Sequence, residues 1–150
     1  DGTGLATGSL DGQIRFWDLA SQQVVRILKV SDWSVSSLSF SPDGVYLAKG
    51  SNNNDLSKVM RVADGSDVFE LGNFNGVQST IFSPDGSVVA IAWVNYGSFQ
   101  NGFMLMSNPQ GNLISSFASP HIIGGLAFSP DGKLLASGCA DGFVRIYGVP

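Results

Sequence analysis

Cysteine is nearly absent: Cys139 is the only one in 150 residues, so no internal disulfide and no cysteine-based metal cluster can form. Histidine is as scarce, with His121 alone, and Glu70 is the only glutamate. Lys and Arg together number eight and stand singly, against twelve Asp and Glu, for a net charge of −4. That spread offers no basic patch to neutralise a run of phosphates, which argues against a nucleic-acid partner. The apolar runs fall well short of the ~18 residues of a membrane helix, so no membrane partner is expected. No stretch keeps apolar residues at the helical intervals i, i+3, i+4 and i+7.

What is present is glycine, nineteen of them, and a repeated pentapeptide. Phe-Ser-Pro-Asp-Gly occurs at residues 40–44, 82–86 and 128–132, with spacings of 42 and 46 residues between the aspartates Asp43, Asp85 and Asp131. Counting back a further 42 reaches Asp1-Gly2, which has the form of the tail of a fourth copy. A period of 40–45 residues is the mark of a repeat architecture. The expectation is that the chain begins inside a repeat and is the C-terminal part of something longer.

Each repeat shows the same order of signals. Val35–Phe40 alternates apolar and small polar residues, as a half-buried strand does. Ser41-Pro42-Asp43-Gly44 then reads as a type I turn closed by a glycine at positive φ. Pro84, Asp85 and Gly86 repeat it, as do Pro130, Asp131 and Gly132. A second strand follows (Leu5–Thr7, Val45–Ala48, Val88–Ala92, Leu134–Ser137). A polar turn such as Asp11-Gly12 or Asp141-Gly142 leads to a third (Gln13–Trp17, Lys58–Val62, Phe103–Met106, Phe143–Tyr147). A fourth (Val24–Leu28, Val68–Leu71, Leu113–Phe117) completes the unit. The fold class is all-β.

Leu5–Leu19, "LATGSLDGQIRFWDL", resembles the second and third strands of a WD-repeat β-propeller, including the Trp17-Asp18 pair that names the family. Leu126–Pro150 resembles the last blade of such a protein, with Tyr147-Gly148 in place of Trp-Asp. The resemblance implies four-stranded antiparallel blades in one partial propeller domain over residues 1–150. The blades would span about 1–29 (three strands), 30–72, 73–118 and 119–150 (three strands). It also implies a hydrogen-bonded set of His, Ser/Thr, Asp and Trp in each blade. Thr7, Asp11 and Trp17 would belong to it in the first blade, and Ser137 and Asp141 in the last. The histidine positions hold Ser31, Asn73 and Ser119, and His121 sits two residues off. The middle copies therefore look degraded, with apolar packing expected to replace the polar set.

No enzyme chemistry is expected. The inner strands carry no His, Glu or Asp, so neither a channel metal nor a carboxylate pair has candidates, and no cofactor is implied. A triad through His121 lacks a nucleophile-elbow pattern. Cys139 reads as a small core side chain, and Asn52–Asp55 as a solvated loop rather than a cation site. What remains is a loop face with aromatics. Trp33, Phe74, Tyr96, Phe99 and His121 are the candidate contacts for a protein or peptide, with Tyr96 and Phe99 favoured because they lie in an insertion, Asn95–Asn101. Non-catalytic interaction scaffold is the leading expectation. An accessory propeller of a larger kinase, peptidase or hydrolase is the alternative, and a self-assembling repeat fragment the third. Partners could then include an N-terminal half of the same propeller or a second copy. A symmetric pair of copies would be short of innermost and outermost strands, which favours a longer chain.

Overall fold

The computed structural model describes residues 2–53 and 55–150. Asp1 of the shortened first repeat and Asn54 of the Asn52–Asp55 loop lie outside the described residues. Among the described residues there are fourteen strands and no helix. They are β1 (Gly4–Gly8), β2 (Gln13–Asp18), β3 (Gln23–Lys29), β4 (Val35–Phe40), β5 (Tyr46–Ser51), β6 (Leu56–Arg61) and β7 (Asp67–Asn73), followed by β8 (Gly76–Phe82), β9 (Val88–Asn95), β10 (Gln100–Ser107), β11 (Leu113–Ser119), β12 (Ile123–Phe128), β13 (Leu134–Cys139) and β14 (Val144–Gly148). They form four antiparallel sheets in chain order: β1-β2-β3, β4-β5-β6-β7, β8-β9-β10-β11 and β12-β13-β14.

The repeated pentapeptide makes the hairpins between the first two strands of a sheet. Ser41 Oγ donates to Asp43 Oδ1 at 2.5 Å, and Val45 N donates to the same oxygen at 3.0 Å. Gly44 sits at φ 72°, open to glycine at no steric cost, and its N–H reaches Ser41 O. The other two copies repeat the bond, Ser83 to Asp85 and Ser129 to Asp131, both at 2.6 Å. Hydrogen bonds from the serine hydroxyl first, and then from backbone N–H, hold all three carboxyls below the usual range. The serine and aspartate of the motif are thus spent on each other.

The core lies between neighbouring sheets, because successive side chains point to opposite faces. Ala6, Ile14 and Phe16 of the first sheet pack on Leu47 and Met60 of the second. The other face of the second sheet, Ala48 and Val59, packs on Val89, Ile91 and Met106. Ala90, Ala92, Phe103 and Leu105 then meet Leu135 and Tyr147 of the last. β9, covered on both sides, is buried along most of its length, whereas β14 alternates exposed and half-buried residues. The terminal sheets leave one face each uncovered, with Leu5 and Ile27 on the first and Val144 and Ile146 on the last.

Candidate interaction face

The pentapeptide turns occupy one end of the strands, so the β1–β2, β3–β4, β5–β6, β7–β8, β9–β10, β11–β12 and β13–β14 loops emerge together at the other. These loops are tied to one another. Val30 N donates to Gly12 O, and Val35 N to Ser9 O. Asn52 Nδ2 donates to Ser34 Oγ at 3.3 Å, Asn52 Oδ1 accepts from Val77 N at 3.0 Å, and Asn53 N donates to Asn75 O at 2.9 Å. The expectation of a solvated loop at residues 52–55 is corrected here: Asn52 and Asn53 clasp the second sheet to the third, and Asp55 turns back to Ser31 and Lys49.

A second correction concerns the polar set. The second sheet has not lost it; it has rebuilt it from other residues. Ser31, in the histidine position, donates its hydroxyl to Asp55 Oδ2 at 2.6 Å, and Lys49 Nζ donates to the same oxygen at 3.0 Å and to Val30 O at 3.3 Å. Lys49 stands where Thr7 stands in the first sheet and is fully buried. Burial pushes its pKa down, and Asp55 partly restores it. For Asp55 burial pushes upward, but the hydrogen bonds from Ser31 and Lys49 prevail and hold it low. Ser31 Oγ also accepts from Trp33 N at 2.8 Å, so the network reaches the exposed indole's own backbone. The signal in the sequence was a lysine in an otherwise small and apolar strand.

The end sheets keep parts of the expected set. Trp17 Nε1 donates to Thr7 Oγ1 at 2.9 Å, while Asp11 is engaged by Arg15 at 2.8 Å rather than by the threonine. In the last sheet Arg145 grips Asp141 through both terminal nitrogens, at 2.6 and 3.1 Å. That guanidinium first, and then the Phe143 N–H, pulls the Asp141 carboxyl down to about 2. His121 Nε2 lies 3.5 Å from Asp141 Oδ2, so the displaced histidine reaches the aspartate after all. Ser137 Oγ instead approaches Cys139 Sγ at 3.5 Å, and Cys139 is half-buried against the core.

The five candidate contacts divide by environment. Phe74 is half-buried and stacked on Trp93, with ring centroids 5.2 Å apart, so it supports the face from beneath. Trp33 is 51% exposed, Tyr96 56% and Phe99 88%. β9 and β10 are the longest described strands, eight residues each, and they carry Tyr96 and Phe99 on a tip beyond the last pair, Asn95 and Gln100. Phe99 adopts φ 55°, the left-handed region that a bulky side chain rarely occupies.

The family model for WD40, described as "WD domain, G-beta repeat", matches residues 1–18, 22–57 and 108–148. The unmatched stretch covers most of the third sheet, where Ile91 stands in the Thr7 position. An uncharacterized WD repeat-containing protein of Synechocystis is 33% identical over 142 residues, covering 92% of this chain and 38% of that protein. WD repeat-containing protein SL1-17 of Schistosoma mansoni is 28% identical, covering 99% of this chain and 48% of its own. Pre-mRNA-processing factor 19 homolog 2 of Arabidopsis thaliana is 27% identical, covering 100% of this chain and 28% of its own. The chain spans less than half the length of each of these relatives. Repeat period, strand order, the Trp17–Thr7 bond and the family match agree, and the chain belongs to the WD40 repeat family.

Proposed function

We propose that the loop face captures a protein or peptide, with Tyr96 and Phe99 as aromatic anchors and Trp33 and His121 as further contacts. WD repeats generally mediate protein interactions, and WD40 repeat proteins are typically non-catalytic. The observation that carries the reading is Phe99. It is 88% exposed on a projecting tip at φ 55°, where neither burial nor backbone preference favours phenylalanine. Aromatic side chains of this kind are the usual anchors of interfaces. Phe74 and Trp93 stiffen the ground beneath, and the Ser31–Asp55–Lys49 network fixes the Trp33 segment.

The test is selection of displayed peptides on the wild-type chain, followed by measurement on the double variant Tyr96→Ala, Phe99→Ala. Selected peptides should lose binding to the variant while its urea midpoint stays in place. Peptides that bind the variant unchanged would refute this assignment.

A second reading, association with further propeller sheet, is supported by the uncovered Val144 and Ile146, which occupy the places that Ile14 and Phe16 fill in the first interior joint. Light scattering that returns a monomer for the 150-residue chain would remove self-association from it.

A further inference from the structure

Residues 87–120 contain no Asp, Glu, Lys, Arg or His, thirty-four positions in succession, in a chain with twelve Asp and Glu and eight Lys and Arg elsewhere. The stretch holds β9, β10 and β11, and β11 stands at the edge of the third sheet. Among the described residues β11 takes backbone hydrogen bonds from β10 alone. Every second residue of such a strand turns its N–H and C=O away from the sheet, and natural edges are guarded against a further strand by charge, proline or bulges. The corresponding strands of the first two sheets carry that guard, Arg26 and Lys29 on β3, Asp67 and Glu70 on β7. β11, Leu-Ile-Ser-Ser-Phe-Ala-Ser, has no charge and no proline. Its one register shift falls beside Ile114, which leaves Ser115–Ser119 in unbroken pairing with β10. Leu113 is 60% exposed and Ile114 38%, and Ser116 and Ala118 are exposed as well. The third sheet is packed on both faces, against the second sheet and the fourth, so this edge belongs to an interior sheet.

We propose that β11 pairs antiparallel with β11 of a second copy across a two-fold axis, joining two four-stranded sheets into one of eight strands. The strand is its own complement. Centred on Ser116, the pairing sets Ser116 opposite Ser116, Ser115 opposite Phe117, Ile114 opposite Ala118 and Leu113 opposite Ser119. Each large side chain meets a small one, and no charge meets its like. The same operation on β3 brings together Arg26 and Lys29 of two copies, and on β7 Asp67 and Glu70, which is repulsive in both cases. The net charge of −4 opposes contact between copies, and a contact built from the uncharged stretch has the least like charge to bring together. Depletion of charge is also what marks the centre of an interface. The edge runs along the side of the sheet and the loop face lies at the strand ends, so either reading can fail without the other.

The experiment is sedimentation equilibrium of the chain and of Ser116→Lys and Ser116→Glu, each alone and the two mixed one to one. The wild-type chain should dimerise, and its Ser115–Ser119 amides should exchange more slowly as concentration rises. Either variant alone should raise the dissociation constant about fivefold, the cost of setting like charges opposite each other. The equimolar mixture, which sets Lys opposite Glu, should return to the wild-type value or tighter. Both substitutions fall on an exposed residue, and unchanged far-ultraviolet spectra would show that the variants fold. Tyr96→Ala, Phe99→Ala should dimerise as the wild type does. A monomer with fast-exchanging β11 amides at every concentration would overturn the proposal and leave the edge to an unlike strand. So would a mixture no tighter than its components, or association lost in Val144→Lys and untouched at Ser116, which would assign it to the uncovered face of the last sheet.

Discussion

Lys49 Nζ lies 3.0 Å from Asp55 Oδ2, with the lysine side chain 1% exposed and the aspartate 22%. The pair is lopsided, and the two halves of its removal should differ. Asp55→Ala leaves a cation sealed in the interior, with Val30 O as its remaining partner, and should cost on the order of 3 kcal/mol. Lys49→Met leaves a carboxylate that keeps Ser31 and some water, and puts a side chain of similar shape in the lysine's place. Its cost should be clearly smaller. Urea denaturation of both variants checks the order, and a larger loss for Lys49→Met would refute the account.

Acid should unfold this protein by a definite route. Asp11, Asp18, Asp43, Asp55, Asp64, Asp85, Asp131 and Asp141 all have carboxyls held below their ordinary value. A carboxyl whose pKa is lower in the folded state contributes stability that is fully present above the unfolded value of about 4. That contribution is lost as pH falls through the folded values, of which Asp141's is about 2. Urea midpoints should hold between about pH 7 and 5 and fall between about pH 5 and 2. Ser83→Ala removes the first support of Asp85 and brings its folded value toward the unfolded one, so the variant should be less stable near neutral pH and should lose less of its midpoint between about pH 5 and 2. A midpoint flat from pH 5 to pH 3 would contradict the assignment.

Much of this fold was legible because its rules are local. Proline, aspartate and glycine at fixed turn positions announce a hairpin wherever they occur, and alternation does the rest. The same logic placed Tyr96 and Phe99 on a loop, since an insertion between paired strands can only lengthen the hairpin. What escaped was chemistry made by non-local partners. Nothing adjacent to Lys49 in sequence says that Ser31 and Asp55 converge on it, so an absent histidine looked like a lost network. Phe74 counts as a candidate contact in the sequence for a similar reason, because its stacking on Trp93 depends on a strand that begins fourteen residues later.

Two turn glycines separate backbone freedom from space. Gly12 and Gly44 have nearly the same φ, 74° and 72°. A Cβ on Gly12 would lie 2.0 Å from Ser31 O, whereas one on Gly44 meets nothing within 4 Å. Gly44→Ala should therefore cost only the left-handed backbone term, about 1 kcal/mol. Gly12→Ala adds a backbone collision that forces the β1–β2 and β3–β4 loops apart. It should destabilise by a markedly larger amount and loosen Trp33, visible as faster exchange of the Trp33 amide. Equal losses for the two variants would show that the loops yield freely, contrary to the clasped face described above.

Phe99 offers the sharpest test of whether the aromatic tip is there for binding. Its left-handed backbone costs a non-glycine residue roughly 1–2 kcal/mol, and with 88% of its surface exposed the ring recovers little by packing. Asparagine tolerates that conformation better. Phe99→Asn should therefore raise the urea midpoint by the equivalent of about 1 kcal/mol while weakening peptides selected on the wild-type chain. A residue kept for folding would show the opposite pairing, lower stability with binding intact. Opposed movements of stability and affinity are the outcome expected if Phe99 is the proposed anchor, because the strain at the tip would then be offset by a partner's cover.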